Sequence, residues 1–209
     1  MNIYLMRHGE TDWNKARRLQ GTSDVPLNAY GIELAEKTAE GLRDVGFDAA
    51  FSSPLVRAYE TARIVIGSRQ VEIVRDERLR EMYFGPSEGR HFDEERNNPQ
   101  NPLYLLMQKP ECYAPTDGSE SIGQVRERGQ AFLRDKIVPL EGSCENVLIV
   151  AHGAFNRCVL NPLAGVADSE FWKITLPNCA VSVLSLENGK FRVVEQSRIY
   201  YDMPVNGRP

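Results

Sequence analysis

The sequence predicts an α/β fold: an open three-layer α/β/α sandwich with a mostly parallel sheet, an antiparallel edge and a small inserted cap. Two observations lead to this class. Short apolar segments alternate with segments of helical spacing, which favours a parallel sheet covered by helices on both faces. Near the end of the chain, Asn188-Gly189 separates the apolar runs Ala180–Leu186 and Phe191–Gln196, a strong signal for an antiparallel hairpin.

The first part of the chain alternates between strand and helix signals. Met1–Met6 is apolar and predicts a buried strand, and a polar loop follows up to Val25, with room for one short helical turn. Asn28 is a favoured N-cap residue and predicts the start of a helix, because apolar residues recur after it at helical spacing. Gly46 is expected to end that helix.

A second strand and helix are expected next. Asp48–Ser52 has the composition of a strand, and Ser53-Pro54 predicts a helix start, since Ser caps well and Pro is favoured at the first helical position. That helix is expected to reach about Ile66. A third short strand is predicted over Val71–Val74.

Residues 86–118 differ in character and predict a lid-like insertion over the main sheet. The segment contains Pro86, Pro99, Pro102, Pro110 and Pro115. Long irregular segments of compact domains are often lids or binding loops. Its apolar run 103–107 is compatible with two roles, a surface that faces the substrate or an anchor for the insertion.

The strongest strand signal lies in the second half of the chain. Ser121 and Gln124 form a capping-box pattern that predicts a helix reaching about Ile137. Asn146–Ala151 is apolar at almost every position, which is typical of a central strand buried on both faces. It ends at His152, where another helix is expected to begin.

Composition limits the classes of function. The 209 residues fit one domain spanning residues 1–209 with an insertion. The net charge of −4, without any Lys/Arg-rich run, argues against a nucleic-acid partner. No apolar run approaches the length of a membrane span, and the first residues form a strand rather than a signal peptide. We therefore expect a cytoplasmic protein with no membrane partner.

The four cysteines, Cys112, Cys144, Cys158 and Cys179, are irregularly spaced. No C-x-x-C pair occurs, so neither a zinc ribbon nor a disulfide framework is supported. The sequence leaves the oligomeric state open.

Three polar residues follow strands or begin the helices after them. His8 follows the first strand, Arg57 lies in the first turn of the helix after the second, and His152 follows the most buried strand. In open α/β sheets, ligands bind outside the carboxyl ends of the strands. These side chains are therefore expected to meet in one site.

The residue types in this site suit phosphoryl transfer. An imidazole such as His8 can attack phosphorus and form a covalent intermediate. Arg7 and Arg57 can each donate fork-shaped bonds to phosphoryl oxygens, and His152 can donate another. Glu81 is a candidate proton donor for the leaving oxygen. For Glu81 alone, a surface salt bridge is an equally good interpretation.

The sequence motifs, taken together, resemble those of the histidine phosphatase superfamily, in its phosphoglycerate-mutase-like branch. They occur in order as Arg7-His8-Gly9-Glu10-Thr11, Trp13-Asn14, Leu19-Gln20-Gly21, Ser52-Ser53-Pro54 with Arg57 and Thr61, Glu81 with Phe84-Gly85 and Glu88-Gly89, Gly118-Ser119-Glu120-Ser121, and Ala151-His152-Gly153. The resemblance extends from residue 3 to about residue 186. The first of these strings is specific, and the ordered combination makes a chance match negligible.

The resemblance implies roles for these residues. His8 would be the phosphohistidine nucleophile and Glu81 the proton donor, with Arg7, Arg57 and His152 completing the phosphate pocket. The resemblance also implies a second group lining the substrate site: Asn14, Gln20, Gly21, Phe84 and Gly153. It implies no metal, no nucleotide and no other cofactor, with a small phosphate ester as the binding partner.

Three functions are compatible with this site. A phosphomonoesterase is favoured over a phosphoglycerate-type phosphomutase, and a catalytically inactive phosphate-binding module has no support because every catalytic position is filled. Family mutases tend to carry an Arg-Arg pair in the insertion. Here the insertion has only Arg90, Arg96 and Lys109 as cations, outnumbered by Glu88, Asp93, Glu94, Glu95, Glu111 and Asp117. The natural substrate cannot be read from the sequence.

Overall fold

A computed structural model of the chain describes residues 1–101 and 103–202. Pro102 and the predicted extension of the domain to residue 209 therefore lie outside the described residues. The strands within them are β1 (Asn2–Arg7), β2 (Ala49–Ser52), β3 (Ile73–Arg75), β4 (Asn146–Ala151), β5 (Val181–Glu187) and β6 (Lys190–Arg198). The helices are α1 (Asp12–Lys15), α2 (Ala29–Gly41), α3 (Val56–Ile66), α4 (Phe92–Asn97), α5 (Tyr104–Gln108), α6 (Ile122–Phe132) and α7 (Gly153–Leu163).

The strands form one mixed sheet in the order β3-β2-β4-β1-β5-β6. Strands β1 to β4 pair in parallel, whereas β5 is antiparallel to β1 and β6 is antiparallel to β5. The predicted fold class, a mostly parallel sheet with an antiparallel edge, is confirmed. Strand β4 has the predicted bounds and is central, because β1 and β2 flank it.

Each face of the sheet carries its own hydrophobic core. Leu5 of β1 belongs to the core that also contains Phe132 and Phe155, from α6 and α7. Its neighbour Met6 belongs to the opposite core, with Leu34 of α2 and residues of α3. Successive strand side chains point to opposite faces, so two apolar neighbours in one strand support two layers of helices. This pattern accounts for the three-layer sandwich.

The predicted helix starts are correct where a residue next to the helix in sequence provides the cap. Asn28 caps α2, since its Oδ1 accepts a hydrogen bond from the Gly31 N–H at 2.8 Å, and Ser121 caps α6 in a capping box. The predicted start at Ser53 is wrong. Helix α3 begins at Val56, whose N–H donates to Asp24 Oδ1 at 2.7 Å. A carboxylate from a distant loop thus caps this helix.

The end of α2 also differs from the prediction. The helix ends at Gly41 and not near Gly46. Arg69 lies just after α3 in sequence, and its Nη2 atom donates to the carbonyl oxygens of Leu42 and Arg43 at 2.8 and 3.2 Å. Carbonyl groups at a helix end need such partners. A side chain remote in sequence therefore satisfies carbonyl groups at this helix end.

The hairpin between β5 and β6 follows its sequence signal. Asn188 and Gly189 form the two-residue loop, with φ values of +51° and +72°. Positive φ at both loop residues is the requirement of a type I′ turn, which the Asn-Gly pair satisfies best.

Part of the insertion joins the main core. Leu103 and Leu106 are fully buried in the core beneath α6 and α7, whereas Leu105 between them is exposed. The indole Nε1 of Trp172 donates to the Leu106 carbonyl oxygen at 2.8 Å. Of the two roles considered for the apolar run, these contacts support the anchor. The lid-like role of the whole segment stays a prediction.

Across residues 1–101 and 103–202, none of the helices has the length and apolarity that crossing a membrane requires.

Candidate active site

His8 and His152 lie side by side at the carboxyl edge of the sheet. Arg7 at the end of β1 pairs with Ala151 at the end of β4, so the residue after each strand enters the same space. The two imidazole centroids are 5.1 Å apart, and both side chains are almost completely buried. The sequence predicts that these two residues lie close together, and the parallel pairing of β1 with β4 brings them there.

The His8 ring is held in one tautomer. Its Nδ1 atom lies 2.7 Å from the Gly9 carbonyl oxygen, which can only accept a hydrogen bond. The proton of a neutral ring must therefore be on Nδ1. The lone pair is then on Nε2, which is the arrangement that a nucleophilic imidazole needs.

Two residues that the sequence analysis did not assign hold the backbone around His8. Asn178 Nδ2 donates to the carbonyl oxygens of His8 and Gly9 at 3.0 and 3.1 Å. The Thr61 hydroxyl accepts the Gly9 N–H at 3.0 Å and donates to the Arg57 carbonyl at 2.7 Å. Thr61 follows Arg57 by one helical turn, a spacing that could have indicated its role. Asn178 precedes β5, whose pairing with β1 the sequence did not predict.

Arg57 is fully buried and Arg7 is partly buried, and neither cation pairs with a carboxylate of the described residues. The Arg57 Nη1 and Nη2 atoms donate to the carbonyl oxygens of Ser23 and Gly21, each at 2.7 Å. Arg7 Nη1 donates to the Leu176 carbonyl at 2.6 Å. Within the described residues, the Nε atoms of both arginines have no hydrogen-bond partner. Burial without a counter-charge is unfavourable, so the site is suited to receive an anion.

Burial lowers the pKa of both guanidinium groups. The pKa of Arg57 falls to about 10 and that of Arg7 is also lowered, in each case with desolvation as the largest cause. Nearby carboxylates such as Glu81 act in the opposite direction. Arg57 therefore keeps its positive charge at neutral pH.

His152 completes this cluster with two free ring nitrogens. It is the N-cap residue of α7 but makes no side-chain cap bond, and in the described part of the chain neither Nδ1 nor Nε2 has a partner. A buried polar group without a partner is costly, and such groups call for an explanation. A bound oxyanion would supply the missing partner.

The two imidazoles are neutral in the folded protein. Burial lowers the pKa of His8 well below 6.5, and the positive charges of Arg57 and Arg7 lower it further. Burial is also the largest cause of the lowered pKa of His152, followed by Arg57 and His8. Neutral His8 has the free lone pair that attack on phosphorus requires.

These lowered pKa values predict a pH dependence. At about pH 6, where an ordinary His is largely protonated, we expect NMR signals of His8 and His152 to be those of neutral imidazole. Because the unfolded chain then binds more protons than the folded one, their contribution to the free energy of unfolding is fully present above about pH 6.5 and is lost as the pH falls below it. A midpoint of His8 titration at or above this value would contradict the assigned environment.

Glu81 lies at the N-terminus of α7, next to His152. Its carboxylate accepts hydrogen bonds from the N–H groups of Met82 and Phe155, both at 2.9 Å, and of Ala154 at 3.1 Å. The side chain is buried and, among the described residues, forms no ion pair within 4.0 Å. The alternative of a surface salt bridge is therefore wrong. A helix N-terminus attracts negative charge, which explains this placement.

The carboxylate of Glu88 supports the backbone around two of the predicted substrate residues, Gly21 and Phe84. It accepts hydrogen bonds from the N–H and hydroxyl groups of Thr22 and Ser23 and from the N–H of Phe84. Gly21 has a φ of +53°, and a Cβ there would lie 1.9 Å from Glu88 Oε1. Only glycine fits this approach. Gln20, the neighbour of Gly21 in sequence, is buried. Within the described structure its Oε1 atom has no hydrogen-bond partner.

Asn14 and Gly153 occupy different parts of the site. Asn14 Oδ1 accepts bonds from the N–H and hydroxyl of Thr11, both at 3.1 Å, and from Asn178 Nδ2 at 3.3 Å. It thus completes the capping box of α1, whose N-cap residue is Thr11, and contacts the residue that holds the His8 backbone. Gly153 lies beside the Arg7 guanidinium, since a Cβ there would be 3.6 Å from Arg7 Nε. Substrate contact by these residues stays a prediction.

Arg157 is a further cation near the site that the sequence analysis missed. Its Nη1 donates to the Gly153 carbonyl at 3.0 Å, its Nε donates to the Ile174 carbonyl at 3.1 Å, and its guanidinium lies 5.0 Å from the Trp172 ring centroid. Its pKa is lowered to about 10, with burial as the largest cause and the positive charge of Arg7 as the second. Its spacing of four residues from Gly153 places both on one helix face.

Residues 1–101 and 103–202 contain no cluster of three or more His, Cys, Asp or Glu side chains that could hold a metal ion. Activity without a metal stays a prediction.

Comparison with known proteins agrees with this geometry. The family model described as histidine phosphatase superfamily (branch 1) matches residues 3–198. The protein named probable phosphoglycerate mutase GpmB of Enterobacter sp. (strain 638) is 36% identical over 182 residues, which cover 87% of this chain and 83% of that protein.

Two solved structures are similar over nearly the whole chain. YhfR of Bacillus stearothermophilus has a TM-score of 0.88 and 33% identity, covering 95% of this chain and 97% of its own. The alpha-ribazole phosphatase from Shigella flexneri has a TM-score of 0.82 and 27% identity, covering 95% of this chain and 96% of its own. The chain therefore belongs to the histidine phosphatase superfamily, as an enzyme of the phosphatase or the mutase kind.

Proposed function

We propose that the protein is a phosphomonoesterase that hydrolyses a small phosphorylated metabolite through a phosphohistidine on His8. The observation that carries this proposal is the hydrogen bond of 2.7 Å between His8 Nδ1 and the Gly9 carbonyl. It leaves the lone pair on Nε2 of a neutral ring next to the cations Arg7 and Arg57. A fixed neutral imidazole beside positive charge suits attack on an anionic phosphorus centre.

The first half of the reaction transfers the phosphoryl group to the enzyme. Arg7, Arg57 and His152 donate hydrogen bonds to the phosphoryl oxygens, each charge-assisted bond contributing about 1.5–3 kcal/mol. His8 Nε2 forms a bond to phosphorus as the bond from phosphorus to the ester oxygen breaks. Glu81 gives its proton to that oxygen, and the alcohol leaves. The negative charge of the substrate favours the protonated form of a nearby carboxyl group.

The second half of the reaction returns the enzyme to its starting state. Glu81, now a carboxylate, takes a proton from water as the water oxygen attacks phosphorus. The bond between phosphorus and His8 Nε2 breaks, and inorganic phosphate is released. One carboxyl group thus serves as acid and then as base.

A phosphoglycerate-type mutase is the second candidate, and the 36% identity to a protein named probable phosphoglycerate mutase favours it. The charge of the insertion is against it, because a mutase must hold a second anionic group. Arg90 lies 3.7 Å from Glu95, a buried carboxylate that offsets its charge. Arg96 lies over the Phe92 ring, with 5.7 Å between the guanidinium carbon and the ring centroid.

Phosphate release from a panel of phosphomonoesters tests the proposal. The panel includes phosphoserine, 3-phosphoglycerate, sugar phosphates and alpha-ribazole phosphate, and each reaction is also analysed for isomerised product, with and without 2,3-bisphosphoglycerate. We expect rapid phosphate release and little isomerisation. Rapid positional exchange of phosphate with little release would instead establish the mutase.

A chelator arm in the same assay tests the predicted independence of metal. We expect an unchanged rate, because the groups assigned to the phosphoryl oxygens are all side chains of the protein. A loss of activity with chelator that a divalent metal restores would contradict the assignment.

A further inference from the structure

The segment that carries Glu81 has little regular structure of its own. A single 3₁₀ turn, Glu77–Leu79, precedes Glu81, and residues 81–84 belong to no helix or strand. Backbone groups in such a segment need partners from elsewhere in the protein. Arg128 on α6 supplies three of them. Its Nη1 donates to the carbonyl oxygens of Arg78 and Arg80 at 2.7 and 2.6 Å, and its Nη2 donates to the Glu81 carbonyl at 3.0 Å.

Glu120 holds Arg128 in this orientation. The Arg128 Nε and Nη2 atoms donate to the two carboxylate oxygens of Glu120 at 2.9 and 3.0 Å, a bidentate pair. Glu120 also binds the other side of the Glu81 segment. Its Oε2 accepts the Tyr83 N–H at 2.9 Å, and its own N–H donates to the Tyr83 carbonyl at 2.9 Å. The backbone is thus fixed both before and after Glu81.

Arg128 also contacts the first turn of α7, whose N–H groups bind the Glu81 carboxylate. Its guanidinium carbon lies 5.3 Å from the centroid of the Phe155 ring. Phe155 is the residue whose N–H donates to Glu81 Oε1 at 2.9 Å. One largely buried side chain, 18% exposed, therefore touches both the backbone of Glu81 and the helix turn to which its side chain is bonded.

We propose that Arg128, oriented by Glu120, is a positioning residue that sets the place of the Glu81 carboxyl group for proton transfer to the leaving oxygen. This inference rests on the proposed role of Glu81 as proton donor. Arg128 binds the backbone of this segment, and its positive charge also lowers the pKa of His152. The selective loss expected here comes from its contacts with the Glu81 segment. Proton transfer is sensitive to distance, whereas attack by His8 does not use this segment.

The test compares Arg128→Met with Arg126→Met, a matched control on the same helix that pairs with Asp168 instead. An alkyl phosphate such as glycerol 3-phosphate needs a proton on its leaving oxygen, whereas p-nitrophenyl phosphate does not. For Arg128→Met, we expect the rate constant of phosphoenzyme formation from the alkyl ester, measured in single turnovers, to fall about 10- to 100-fold, as for a misplaced catalytic group, with little change for the nitrophenyl ester. Arg126→Met should change neither rate.

A double-mutant cycle with Glu81→Gln separates this inference from the proposed function. If Arg128 acts through Glu81, Arg128→Met has no further effect on the alkyl ester in the Glu81→Gln background. Equal loss for both esters, no loss for either, or full additivity overturns the positioning role. If Glu81→Gln itself does not distinguish the two esters, the proton-donor assignment fails and this inference fails with it.

Folding of each variant is checked by thermal unfolding. Glu120→Gln gives an independent second variant, because it removes the group that orients Arg128 but leaves the guanidinium in place. We expect the same selective loss for the alkyl ester, smaller in size. Unselective loss in Glu120→Gln counts against the proposal.

Discussion

Alanine in place of His8 removes phosphate release from every ester, with kcat at least about 10³-fold lower, as is typical when a nucleophile is deleted. In the described structure, the imidazole of His8 lies close to the positive charges of Arg7 and Arg57, and His152 is the one other imidazole on which both charges act. Steady-state phosphate release measures the loss, and rapid acid-free quenching with a ³²P-labelled ester measures the phosphoenzyme, which should be absent in His8→Ala.

The fold should survive this substitution. Asn178 and Thr61 hold the backbone around position 8 through main-chain groups, which alanine keeps. We therefore expect the free energy of unfolding to change by about 1 kcal/mol, a common value for point substitutions. His91→Ala is the matched control, because His91 is not among the residues assigned to the site and its backbone pairs with that of Arg18, so its loss should leave turnover intact. Normal activity in His8→Ala would rule out the covalent mechanism.

Glutamine in place of Glu81 should slow alkyl esters much more than activated ones. Without a proton donor, kcat for an alkyl phosphate is expected to fall about 10²- to 10⁴-fold, the usual contribution of general acid–base catalysis. For p-nitrophenyl phosphate, formation of the phosphoenzyme should be nearly unaffected, because the leaving group departs as an anion. Pre-steady-state bursts with the two esters measure this difference directly.

Glu81→Gln also has a structural effect that must be measured separately. The carboxylate accepts three backbone N–H bonds, and an amide nitrogen cannot accept any of them. We expect a lower Tm for this reason. Glu77→Gln is the control, since Glu77 lies in the preceding turn and pairs with Arg80 on the surface. An equal loss in the rate of phosphoenzyme formation from both esters would assign Glu81 a structural role.

The sequence predicted those parts of the fold that depend on local chemistry. Asn28 and the Asn188-Gly189 turn were found because each acts on neighbouring residues. The start of α3 and the end of α2 were misplaced because Asp24 and Arg69 act across 32 and 27 residues of sequence. Hydrophobic periodicity contains no information about such contacts.

The candidate site divides in the same way. His8 and His152 could be placed together because parallel neighbouring strands end at one edge. Asn178, Arg157 and Arg128 were missed because they bind backbone carbonyls of loops, and a carbonyl is the same at every residue. Recognising them requires the path of the chain, which only the folded structure supplies.

The hydrogen bonds of Glu88 have a consequence for protein engineering. They join the insertion to the loop 20–24. The Gly21 and Ser23 carbonyl groups of this loop accept hydrogen bonds from Arg57. A chimaera that exchanges the insertion with that of a relative must therefore retain Glu88 and the glycine at position 21. Grafts that begin after Glu88 can vary the surface presented to different metabolites while leaving the anion-binding apparatus undisturbed.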